Sequence, residues 1–64
     1  MDQLERAARL GRRVALTRRG TEFVVVARRL EHSGKGERFV GFLPMTGREI
    51  VFDLRHIESF EVLG

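Results

Sequence analysis

At 64 residues, with no cysteine and two histidines, the chain has room for one small domain held together by neither a disulfide nor a thiolate metal site. A domain of this size buries only about 60% of the surface its unfolded form exposes, so its core is thin and self-association is the remaining way to hide more apolar surface. The formal charge of +3 is unevenly spread: residues 1–30 carry eight Arg and three acids, a net of +5, while residues 31–64 carry four basic and six acidic residues, a net of −2.

Met1-Asp2-Gln3 lacks the charged and apolar regions of a signal peptide, and the longest apolar run, Phe23 to Ala27, is far too short to cross a bilayer, which together predict a cytoplasmic protein. Eleven of the twelve basic residues are Arg, the side chain whose planar fork suits phosphate and carboxylate. Arg-rich coding and ion pairing for stability would produce the same composition without any recognition role.

Asp2-Gln3-Leu4-Glu5 fits a capping box. Leu4, Ala7 and Ala8 then share a helical stripe, with Arg6 and Arg9 beside it and Gly11 as a stop. A helix of two to three turns is marginal alone, so it must lie on the rest of the domain, capping an open end of a barrel. Arg12 to Arg19 and Glu22 to Leu30 read as two strands joined at Gly20-Thr21, a pair suited to a type II′ turn. That turn sets Val14, Leu16 and Arg18 on one face with Phe23, Val25 and Ala27. It also places Arg13 directly opposite Arg28, with Arg12 and Arg29 extending the cluster. Like charges opposite one another are destabilising unless they splay into water or hold an anion. The run Phe23 to Ala27 is apolar on both faces and reads as a covered strand, with the flanking Arg pairs as gatekeepers against aggregation.

His32-Ser33-Gly34-Lys35-Gly36-Glu37 is a turn-rich loop. Its Gly-Lys step lacks the glycine spacing, the following Ser or Thr and the helix of a phosphate-binding loop. Arg38 to Leu43 is the third strand, and Pro44-Met45-Thr46-Gly47 turns it into a fourth. The four-residue turn pairs Phe39 with Phe52 and Gly41 with Ile50 inside, and Arg38 with Asp53 outside. Gly41 at an inner position marks a sharp bend or a close approach of another backbone. Val40, Phe42 and Val51 on the outer side form an apolar patch that calls for a covering element or a partner, a second copy of the chain included. Ile50, Phe52 and Leu54 alternate with Glu49, Val51 and Asp53; a break at Arg55-His56 follows, and alternation resumes at Phe60 and Val62. The predicted fold is mostly β: a single domain over 1–64, with a short N-terminal α-helix (1–11) followed by a five-stranded, strongly bent antiparallel Sm-like or SH3-like barrel (12–63), each strand antiparallel to its sequence neighbour.

Several of these segments resemble the bacterial Sm-like small-barrel proteins, and within them the Rho-binding antiterminator family called Rof. They are the N-terminal helix, the Val14-Ala15-Leu16-Thr17 strand with its hairpin, and Gly47-Arg48-Glu49-Ile50 leading to Phe52-Asp53-Leu54-Arg55-His56-Ile57-Glu58-Ser59-Phe60. The resemblance implies one of two activities: Sm-like rings bind RNA, whereas Rof docks on the Rho termination factor and blocks its RNA-binding surface through acidic residues. Here the helix and first hairpin are basic instead.

These features predict a non-enzymatic binding module without cofactor or metal. His32 and His56, the only available bases, each sit in a turn, and with Glu31 or Asp53 they do not make a ligand set. As a Rof-like regulator docking on a transcription or RNA-processing factor, Rho included, it would use Val40, Phe42 and Val51, or the acidic Glu49, Asp53, Glu58 and Glu61. As a binder of single-stranded RNA or of DNA it would set Arg12, Arg13, Arg28 and Arg29, helped by Arg6, Arg9, Arg18 and Arg19, on phosphates.

Overall fold

The computed structural model describes residues 2–64. Its elements are α1 (Asp2–Leu10), β1 (Arg13–Arg18), β2 (Thr21–Ser33), β3 (Gly36–Leu43), β4 (Arg48–Asp53), a 3-10 turn (Leu54–His56) and β5 (Ile57–Val62). The predicted class holds: one short helix, then five antiparallel strands in a single sheet, in the order β4-β3-β2-β1-β5.

That order makes β4 and β5 the two edges, so β5 pairs with β1 rather than with its sequence neighbour. In a flat sheet these edges would stand roughly 19 Å apart, four strand spacings of about 4.8 Å. The link from Asp53 to Ile57 is four residue steps, at most about 14 Å even if fully extended. The sheet must therefore curl, and the side chains record it: the guanidinium of Arg18 on β1 lies 5.1 Å from the ring of Phe52, three strands away on β4. The curl stops short of a closed barrel, leaving the edges of β4 and β5 without a shared ladder.

The concave face is the core. Val14, Leu16, Val25, Ala27, Phe39 and Phe52 are buried there. Phe52 meets Phe23 edge-on at 5.2 Å and stacks on Phe39 at 6.2 Å. The helix completes this core with Leu4 and Ala7, one turn apart and each 1% exposed. Its end is a Schellman motif, in which Arg12 N–H donates to Ala7 C=O at 2.9 Å and Gly11 N–H to Ala8 C=O at 3.3 Å. Gly11 takes the left-handed φ of 67° that this cap requires. The side chain of Asp2, on which the expected capping box turns, lies outside the described residues.

Two local departures from the predicted register matter for the surface. The first hairpin closes on Arg18↔Thr21, with Arg19 (φ 52°) and Gly20 (φ 78°) as its central pair, a type I′ turn one residue earlier than the expected type II′. Arg13 consequently faces Val26, not Arg28. A slip of two residues keeps every side chain on its original face, which is why alternation could not detect it. The second departure is a bulge: Ala27 pairs with Gly41 but Arg29 with Val40, so Arg28 is an extra residue on β2. Strict alternation after Ala27 would turn Arg29 inward; the bulge keeps both arginines outside and returns Leu30 to the core. The β3–β4 register is the predicted one, Arg38↔Asp53, Phe39↔Phe52 and Gly41↔Ile50. No helix among the described residues is long and apolar enough to cross a membrane.

Candidate binding surface

On the convex face, register alone lays apolar positions along a diagonal stripe. Val24 and Val26 are two apart on β2, Val26 pairs with Phe42 on β3, and Val40, two residues before Phe42, pairs with Val51 on β4. Val24 is 50% and Val51 47% exposed, while Val26 and Phe42 are half-buried. The expected patch of Val40, Phe42 and Val51 is thus corrected in membership. Val40 is fully buried between Arg29 and Val51, and Val24 and Val26 take its place. The run Phe23 to Ala27 is likewise not covered on both sides, since Val24 faces outward. Its alternation, Val24 and Val26 against Phe23, Val25 and Ala27, held that information.

Arginines rim the stripe. The Arg28 guanidinium lies 4.5 Å from the centre of the Phe42 ring, a cation–π contact that also shields part of the ring's face. Arg13 stands beside Val26 and diagonally from Arg28, about 7–8 Å away across the strand pair, so the two share a face without being opposed. Arg29 is already engaged, donating to Glu31 at 2.9 Å and to Glu49 at 3.3 Å, contacts that raise its pKa, the hydrogen bond to Glu31 first.

The arginines expected to act together are therefore divided. Arg6 and Arg12 line one groove beside β5, Arg9 is exposed on α1, Arg13 and Arg28 lie on the convex face, and Arg29 is neutralised by Glu31 and Glu49. Arg18 is on the concave side, its guanidinium 5.1 Å from both the Phe23 and Phe52 rings, where it covers the aromatic cluster. That placement was readable from its parity with Leu16 and Phe23.

The acidic set proposed for a basic partner is also partly used within the chain. Glu49 holds Arg29, and Asp53 holds Arg55 rather than its cross-strand neighbour Arg38. Asp53 Oδ1 accepts from the Arg55 backbone N–H at 2.9 Å and from Nε at 3.1 Å, and Oδ2 from Nη2 at 2.7 Å. The side-chain hydrogen bond to Arg55, then the backbone one, holds the Asp53 carboxyl well below the ordinary carboxylate range. Since the folded value lies below the unfolded one, near 3.9, the contribution is whole above that value and fades as pH falls through it towards the folded one. D53N should lower the denaturation midpoint at pH 7, with the gap to the parent chain narrowing below about pH 4; a gap unchanged at pH 3 would show that the charge of Asp53 is irrelevant to the turn it caps.

Fold and surface together define a small helix-capped, curled five-stranded β protein with a partly exposed apolar stripe on its outer face. No family model, no curated protein and no solved structure matches the chain.

Proposed function

We propose that the chain is a non-enzymatic binding module that docks on a protein factor of transcription or RNA processing in the manner of a Rof-like regulator. The observation that carries this reading is the outer stripe, in which two half-exposed valines flank Phe42 on a rigid sheet, with Arg13 and Arg28 at its rim. Apolar surface of this kind on a small domain is what a partner covers. The Rof-like order of segments from Gly47 to Phe60 points to Rho as the first partner to try. The acidic contact of that family is not the feature relied on, because Glu49 and Asp53 are paired internally.

Fluorescence anisotropy of the labelled chain against purified Rho, and separately against single-stranded RNA, tests the reading. Binding to Rho that V24D/V51D weakens by about tenfold or more, with circular dichroism showing the variant folded, supports it. Binding to RNA alone, weakening linearly with log salt, would favour the second reading, which rests on Arg6 and Arg12 sharing one groove.

A further inference from the structure

Among the described residues, β5 is hydrogen-bonded along one side only, to β1. Val62, Glu61 and Phe60 face Val14, Ala15 and Leu16 of β1, and β4 lies across the open seam of the sheet. Unpaired edges invite strand addition, and proteins blunt them with charged side chains, proline, bulges, short strands or a covering helix. Ile57–Val62 has no proline or lysine; Glu58, Glu61 and the register shift near Arg18 blunt it only in part.

Two depressions follow this edge. The larger, about 620 Å³, is walled by Gln3, Arg6, Leu10 and Arg12 on one side and by the consecutive residues Phe60 to Gly64 on the other. Consecutive strand residues point to alternate faces, so what they present jointly is the strand's backbone edge. The smaller, about 90 Å³, is lined by Leu4, Leu54, Ile57 and Phe60. Phe60 lines both, and α1 walls each, with Gln3, Arg6 and Leu10 on the larger and Leu4 on the smaller; the two together are the trough beside β5.

The polarity of the edge can be read residue by residue. Leu63 N–H donates to Arg13 C=O at 2.8 Å, so residues of its parity turn their amides towards β1. Phe60 and Val62, of the opposite parity, turn theirs into the trough.

We propose that the β5 edge and α1 form a strand-addition site for an extended peptide with alternating acidic and apolar side chains. This rests on reading the chain as a protein-binding module, but on a surface separate from the outer stripe. The edge offers alternating backbone donors and acceptors, which another strand matches and a phosphodiester chain does not. Apolar side chains of the peptide seat against Phe60, Leu54 and Ile57, and carboxylates meet the Arg6 and Arg12 guanidiniums. Glu61, which also lines the trough, sets the register by repelling an acid placed opposite it. The β4 edge of a second copy fits less well, because its Glu49 and Asp53 are held by Arg29 and Arg55.

The test uses the folded chain and a synthetic octapeptide of alternating glutamate and valine, followed by residue-resolved amide hydrogen exchange. Saturating peptide should slow exchange at Phe60 and Val62 by about tenfold or more, with Glu61, already bonded to β1, unchanged. R6E/R12E should weaken the peptide by about tenfold, and V24D/V51D should not. If V24D/V51D abolishes Rho binding yet the octapeptide leaves Phe60 and Val62 unprotected, the docking reading stands and the edge site falls. Protection of Phe60 and Val62 that depends on protein concentration and not on peptide would assign the edge to a second copy, and overturns the proposal equally.

Discussion

F52A should remove about a third or more of the chain's stability and sharply lower its denaturation midpoint. Phe52 is fully buried and touches Phe23 edge-on and Phe39 face-on, with the Arg18 guanidinium over its ring. Truncating such a phenylalanine costs about 3–5 kcal/mol, against a total stability of roughly 3–10 kcal/mol for a domain of this length. Its position makes the loss worse than the area suggests. β4 is an edge strand hydrogen-bonded only to β3, so Phe52 is the side chain that ties it across the curl to β2 and β1. F52L, which keeps most of the volume but none of the aromatic pairing, should retain the fold with a loss of about 1–3 kcal/mol. Denaturant titration followed by circular dichroism separates the two variants. An F52A midpoint equal to that of the parent chain would show that the curl is held by something else.

The same cluster shows how far the sequence could be read. Alternation placed Phe39, Phe52, Val25 and Leu16 on inner faces correctly, because one buried face imposes a period of two on every strand. The four-residue turn Pro44 to Gly47 fixed the β3–β4 register because it leaves one closing pair, Leu43↔Arg48. What escaped was information that alternation does not carry. A type I′ turn with Arg19 in the left-handed region differs from a type II′ turn by a slip that preserves all faces, and so misplaces Arg13 relative to Arg28. The bulge at Arg28 is a choice between one buried arginine and one unpaired residue, visible only once Leu30 is known to face inward. The candidate surface suffered most. Burial of Val40, outward by alternation yet fully buried, is a property of the assembled face and not of either strand, whereas the outward position of Val24 was already present in the alternation of β2.

G41A should destabilise the chain by about 2–3 kcal/mol, the upper range for an overpacked core, and G41V should prevent folding. Gly41 pairs with Ala27 next to the bulge, and a Cβ placed on it would lie 2.6 Å from Cγ2 and 2.8 Å from Cβ of Val25. The expected crowding is therefore real, but it comes from a neighbouring side chain and not from another backbone. Val25 is fully buried and cannot swing away, so β2 and β3 would have to separate where the bulge already bends them. The cause can be isolated with V25A, which removes the 2.6 Å contact while leaving a Cβ at 2.8 Å. V25A is destabilising alone through the cavity it leaves, yet V25A/G41A should be more stable than the sum of the single changes by about 0.5–2 kcal/mol, as expected for residues in direct contact. Strict additivity would mean that the cost of G41A arises elsewhere. G34A serves as the reference, because a Cβ there meets nothing within 4 Å and its effect should stay within about 0.5 kcal/mol.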